Sequence, residues 1–369
     1  MEAFLDRRCE FERWKCQPLG QVIGKGKYGT IRVCGEGVAK VVDIGGKSQG
    51  CRRQAYREHV VAILQSLLLL GEVTPHFPFH FGATMDIQDR GMGFTLFMER
   101  FETNLEGEPS VLIQSKDWVH MVLQVFHACV ALSNVFEVVH NDLYPRNVLV
   151  RRYSSTRPRL ISYLVEGVPY RADCPFLCTV TDYGISSGRL VEAAEAPEVL
   201  SSTQKVPLQR PFSLVPPASH ILQYEPLLPP YSRDPYSLFK CVFYRQARMP
   251  SATFAVKLWS MDAMTRMDAS LADFHKPSSQ LSLFHHLFHS NNLKRFGLGD
   301  ALDRSNSYPA DPYFFVLDPS EQRTPLKKKA WEALKSLFEE DSGWACSLRD
   351  FKKISRPRTN PKANEPNEI

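Results

Sequence analysis

The chain has 369 residues, of which 43% are hydrophobic and 23% charged, a balance that excludes fibrous and disordered classes and gives enough length for two cores around one cleft. A formal net charge of +5 permits an acidic or nucleic-acid partner without arguing for one. Nine cysteines, an odd count with no Cys-x-x-Cys pair, read as reduced thiols in an intracellular protein rather than as a disulfide frame. Residues 1–16 are a charged flank without the apolar stretch of a signal peptide. From Leu19 to Val42 the pattern is strand, Gly-rich turn, strand, turn, strand, carried by Val22-Ile23, Thr30–Val33 and Gly37–Val42. Residues 52–70 place Val60, Val61, Ile63, Leu64, Leu67 and Leu68 at helical spacing, and Val60–Leu70, the longest apolar run in this reading, is too short to span a bilayer. Phe94–Met98 reads as a buried strand, and 111–138 as a long amphipathic helix. A polar loop, 140–147, leads into the strand-like Val148-Leu149-Val150. Residues 159–168 and 177–181 are β-like, 185–232 irregular, 235–248 helical, and 326–340 a strong last helix. The tail from Ser355 is rich in Pro, Asn and Lys and is expected to be disordered.

Four features carry chemistry. Gly24-Lys25-Gly26-Lys27-Tyr28-Gly29 fits G-x-G-x-x-G, and the strand that follows it points to a hairpin over phosphates rather than to the helix of a dinucleotide fold. Lys40 sits inside the apolar strand Val38-Ala39-Lys40-Val41, where an ammonium needs a partner, and Glu58 in the next helix is the one expected. In His140-Asn141-Asp142-Leu143-Tyr144-Pro145-Arg146-Asn147 an Asp and an Asn stand five apart in one loop: a carboxylate to orient a hydroxyl and an amide oxygen to hold a metal. Thr179–Gly184 delivers Asp182 at the end of a strand, with Gly184 expected to turn the backbone behind it.

The order of these motifs resembles the eukaryotic-type protein kinase family. Phe97–Phe101 resembles the segment joining the two lobes, with Met98 as gatekeeper. Asp234-Pro235-Tyr236 resembles the start of the central helix whose Asp braces the catalytic loop. Leu317–Thr324 resembles a late Asp-Pro-x-x-x-Arg motif whose Arg323 pairs with a Glu below the activation segment. The motifs span about residues 19–340. The resemblance implies an α+β, two-lobed fold: flank 1–16, small antiparallel β lobe 17–100 with five strands and one helix, helical lobe 101–345, and basic tail 346–369. It implies ATP and Mg²⁺ (or Mn²⁺), with Ile23, Gly24, Gly26, Gly29, Val38, Lys40, Glu99 and Phe101 around the nucleotide. Asn147 and Asp182 would hold the metal, and Asp142, Lys40, Glu58 and Arg146 would act in transfer. A monomer phosphorylating serine or threonine of a protein in the cytoplasm or nucleus is expected, without membrane attachment. The basic tail offers a route to nucleic acid or chromatin.

Several positions depart from that pattern. Asn141 replaces the usual Arg, which implies a site that needs no loop phosphate for order. Tyr144 replaces the usual Lys of serine/threonine kinases, and Arg146 precedes the Asn as in tyrosine kinases. The long stretch from Val150 to Asp182 is similar to the hairpin insertion of haspin-like kinases and of kinases encoded by large DNA viruses. Ala196-Pro197-Glu198 matches the Ala-Pro-Glu element by letters, and Glu225 rivals Glu198 as partner of Arg323. Two other functions stay open: a small-molecule kinase of the amino-alcohol type, which shares His-Asn-Asp-x-x-x-x-Asn, and a pseudokinase scaffold.

Overall fold

The computed structural model describes residues 18–25, 29–43, 49–88, 91–107, 114–153, 159–188, 191, 228–246, 254–302 and 314–340. The flank, the tail, Gly26, Ala196-Pro197-Glu198 and Glu225 lie outside these residues.

The architecture is α+β, with antiparallel sheets and seven α-helices among the described residues. Strands β1 (Val22–Lys25), β2 (Thr30–Cys34), β3 (Gly37–Asp43), β4 (His80–Gln88) and β5 (Gly91–Met98) form one sheet in the order β1-β2-β3-β5-β4, every pair antiparallel. Helix α1 (Gln49–Leu70) connects β3 to β4. Its Ala55 and Ala62 pack with Val38, Val42, Phe94, Leu96 and Met98 of the sheet, whereas Tyr56, Val60, Val61, Leu64 and Leu68 join a second, larger cluster. One helix thus serves two hydrophobic cores, so its apolar residues surround it instead of forming one stripe.

Strand β6 (Thr103–Asn104) leads to α2 (Ser115–Phe136), the centre of the larger core, buried without a break from Asp117 to Phe136. A reciprocal cap between Gln114 and Asp117 starts α2, and Glu137 ends it in the left-handed region at φ 61°. By length and composition α2 could cross a bilayer, with a mean hydropathy of 1.6, and it is a longer apolar segment than Val60–Leu70; its whole apolar window is buried inside the protein. Strand β7 (Val148–Arg152) pairs with β6 and with β10 (Phe176–Val180). Between β7 and β10, β8 (Arg159–Val165) and β9 (Val168–Cys174) form the hairpin expected of the long insertion. A short strand, β11 (Phe314–Leu317), adds to β8 in parallel.

The remaining helices are α3 (Arg233–Gln246), α4 (Phe254–Ala269), α5 (Ser278–Phe288), α6 (Ser290–Arg295) and α7 (Pro319–Glu340). Helix α7 packs on both α1 and α2. A Cβ placed on Gly71, just past α1, would lie 3.5 Å from a methyl of Leu326, and the N–H of Val316 donates to Glu72 O at 3.0 Å. Glu198 and Glu225, the expected partners of Arg323, lie outside the described residues. Arg323 Nε donates to Asn134 O at 2.9 Å and its guanidinium lies 4.0 Å from Glu137, so the residue ties α7 to the end of α2.

Candidate active site

Strand β3 is hydrogen-bonded on both sides, which pairs Lys40 with Ile31 and with Leu96 and fixes where its side chain leaves the sheet. Lys40 Nζ donates to both oxygens of Glu58, at 2.7 and 2.8 Å, and to Asp182 Oδ1 at 2.8 Å. A strand, a helix and a turn 142 positions further along the chain therefore meet at one ammonium group. Burial works against the charged lysine, yet Asp182 and Glu58 outweigh it and hold its pKa above the ordinary value. Lys40 holds Asp182 below the usual carboxylate range, against the effect of burial. Burial pushes Glu58 up, with Lys40 opposing. Two carboxylates thus share one ammonium.

The turn at Asp182 differs from expectation. Asp182 itself is left-handed, at φ 66°, while Gly184 is not among the positive-φ residues, and a Cβ there would meet Gln54 only in ordinary contact. A non-glycine residue held there costs on the order of 1–3 kcal/mol, a cost the surrounding packing sustains. The packing is visible in Tyr183, which is buried with ring centroids 4.2 Å from His140 and 6.3 Å from Phe77. The Asp182 side chain stays 45% exposed.

The loop 140–147 is braced by α3. Asp234 at its first turn accepts the N–H of His140 at 2.7 Å and of Asn141 at 2.9 Å, as the resemblance implies. His140 Nδ1 lies 3.1 Å from the N–H of Asp142 and its Nε2 2.9 Å from Thr181 O, which puts the ring proton on Nε2. Asn147 directs Nδ2 to the Asp142 main-chain oxygen (2.8 Å) and to its carboxylate (3.2 Å), and its own main-chain oxygen accepts from Thr181 N at 2.9 Å. Asn147 is thereby linked to the residue preceding Asp182. Arg146 Nη2 lies 3.2 Å from Asp142 Oδ2, and its guanidinium covers the Tyr144 ring at 5.1 Å. Burial raises the Asp142 carboxyl above the ordinary range, opposed by His140 and Arg146.

Asn141 is left-handed at φ 65° and fastens the next segment of chain. Its Nδ2 donates to Ile185 O (3.2 Å) and Ser187 Oγ (2.8 Å), and its Oδ1 accepts from Arg233 at 3.3 Å. Val139 and Ser187 exchange two backbone bonds, and Gly188, at φ 158°, passes so close that a Cβ would lie 2.6 Å from Glu137 O.

Of the residues expected around a nucleotide, Gly24 and Gly29 flank the β1–β2 connection. Gly29 is required by space, since a Cβ there would lie 2.6 Å from Val41 O, whereas one at Gly24 meets only an ordinary contact with Ile31. Ile23 is 47% exposed, and Val38 is buried. The Glu99 side chain is spent on structure: it accepts from Phe79 N (3.1 Å) and Arg151 (2.9 Å), and Arg151 also covers the Phe101 ring at 4.6 Å. Neither the Glu99 carbonyl nor the Phe101 N–H has a hydrogen-bond partner among the described residues, which leaves one acceptor and one donor along this segment.

The donor set suits a hard divalent ion. Asp182 contributes a depressed carboxylate, and Asn147, with its NH₂ committed to Asp142, offers an amide oxygen. No group of three or more His, Cys, Asp or Glu gathers among the described residues, so a cation here would complete its shell with phosphate oxygens and water, as Mg²⁺ does. His285 and His286 instead bond to Tyr170, Glu166 and Asp262. No family model matches the chain, and no curated protein matches it.

Proposed function

We propose that this chain is an ATP-dependent protein kinase of two-lobed architecture that transfers the γ-phosphate to a serine or threonine hydroxyl. The observation that carries the reading is the Lys40 ammonium lying within 2.8 Å of both Glu58 and Asp182, beside a loop in which Asn147 holds Asp142. The two hydrophobic clusters meeting at α1 support the two-lobed arrangement, with the cleft between them. In this reading Lys40, fixed by Glu58, holds the α- and β-phosphates, and the β1–β2 hairpin covers them. Asp142 orients the acceptor hydroxyl and takes its proton as the oxygen bonds to phosphorus and the bridge to ADP breaks. Arg146 offsets charge on the γ-phosphate. Asn147 and Asp182 would hold Mg²⁺ or Mn²⁺, which when bound draws negative charge from the triphosphate.

The test is transfer from γ-labelled ATP to a panel of peptides and, in parallel, to amino alcohols. Wild-type protein is expected to label peptides, and Asp142→Ala to lose at least ~100-fold in kcat while keeping its Mg²⁺-ATP thermal shift. Asp142→Ala should not lower the unfolding midpoint, because it removes a carboxyl that burial already disfavours. Lys40→Met should also abolish transfer, but with a loss of stability, because it strands Glu58, whose side chain is 9% exposed. Full activity in either variant rejects the reading. Labelling of amino alcohols alone would make it a small-molecule kinase, and nucleotide binding without transfer a scaffold.

A further inference from the structure

Strand β10, which leads to Asp182, is an edge strand. It pairs with β7 on one side, and among the described residues no strand pairs with the other. Phe176, Cys178 and Val180 are nevertheless buried, so the backbone groups on that free edge need partners. Two buried side chains stand in for a strand. Gln124 of α2 donates to Phe176 O at 3.2 Å and accepts from Cys178 N at 2.7 Å. His76, between α1 and β4, places Nδ1 2.8 Å from Cys178 O, and its own main-chain oxygen accepts from Val180 N at 2.9 Å. Val180 stands two positions before Asp182. The His76 ring has one arrangement of protons. A carbonyl oxygen only accepts, so Nδ1 carries a hydrogen. Burial lowers the His76 pKa to about 3 and keeps the ring neutral, so Nε2 has none and accepts from the Tyr163 hydroxyl of β8 at 2.7 Å.

We propose that His76 is a positioning residue: its imidazole holds the free edge of β10 and so fixes where Asp182 presents its carboxylate to Mg²⁺. The metal role of Asp182 rests on the protein-kinase reading above; the hold on β10 stands on geometry alone. On the far side of Val180 the next tie is Thr181 N to Asn147 O, at 2.9 Å. His76 and Asn147 therefore fasten the three residues that lead into Asp182, and a metal ligand depends on such outer partners for its orientation.

The experiment compares full-length wild-type protein with His76→Asn, His76→Gln and Tyr163→Phe. An asparagine amide nitrogen reaches the place of Nδ1 and a glutamine amide nitrogen that of Nε2, so only His76→Asn keeps a donor on Cys178 O. His76→Gln should raise the Mg²⁺ concentration that gives half of the ATP-induced thermal shift by ~10–100-fold and lower kcat by a similar factor, with little change in the KM for peptide. It should also speed amide exchange over residues 178–182. His76→Asn should stay close to wild type in all of these. Tyr163→Phe removes a bond from the same buried cluster but leaves Nδ1 on Cys178 O, so it should lower the unfolding midpoint without moving the Mg²⁺ requirement. A Mg²⁺ requirement unchanged in His76→Gln, or raised as far in Tyr163→Phe, would overturn the positioning role and leave the kinase reading standing. Wild-type protein that transfers no phosphate, with exchange over 178–182 still faster in His76→Gln, would overturn the kinase reading and keep the hold on β10.

Discussion

Asp142 meets an arginine and an amide before any acceptor arrives, and their effects are separable. A carboxylate that takes a proton must be ionised, so turnover falls as pH drops through its pKa. Burial sets that pKa above the ordinary range, while His140 and Arg146 pull it down. Arg146→Ala removes one lowering partner, so the acid limb of kcat should move to higher pH; a pH–rate profile reads the shift, and an unmoved or acid-shifted limb would exclude this role. Lysine at the same position keeps the charge and should move the limb less. The meeting of Lys40 with Glu58 and the pairing of Asp142 with Asn147 were legible in the sequence because each residue type needs a partner in its setting: a lysine in an apolar strand, or a carboxylate and an amide in one short loop. What could not be read were conformations and distant pairings. The left-handed turn falls on Asp182 rather than Gly184, and Arg323 finds Asn134 and Glu137. A buried knot of His76, His127 and Tyr163 left no trace in spacing, because its members are up to 87 residues apart.

The segment 185–188 is held as a unit by Asn141, by the Val139–Ser187 bridge and, through Asn141, by Arg233. In the kinase reading these contacts would order the segment without a phosphate bound to an arginine at position 141. Asn141→Gly isolates the side-chain bonds, because glycine accepts the left-handed backbone without strain. With each bond worth about 1 kcal/mol, the loss should lower kcat ~10–100-fold and speed amide exchange over the segment. Wild-type protein treated with phosphatase should keep its turnover, and loss of turnover would show that a phosphate orders the segment after all. Elements were legible where periodicity ran long: α1 and α2 formed within a few residues of their expected ends. Strand β4 was not, because His80–Gln88 carries few β-branched residues and is a strand through pairing with β5. The start of α7 was missed by seven residues, because Pro325 interrupts the pattern inside a helix that begins at Pro319.

At the scale of the molecule, α7 is a brace. Leu326, Ala330 and Leu334 are buried in the core that also holds one face of α1, the helix that presents Glu58 to Lys40. Leu326→Ala should cost ~2–4 kcal/mol of stability. If α7 holds α1 in place, the same variant should also raise the KM for ATP and speed amide exchange in α1 at temperatures where the rest of the fold is intact. Destabilisation without either change would reduce α7 to ordinary packing. The sequence's shift from strands to helices made the α+β class legible, but nothing in it placed a late helix against an early one, since that contact joins residues some 250 apart. During synthesis at 5–20 residues per second, roughly 12–50 s separate the appearance of Gly71 from that of Leu326. Throughout that interval α2 can already pack on α1, but the part of α1 that α7 covers stays bare on the nascent polypeptide, which gives a chaperone reason to bind there.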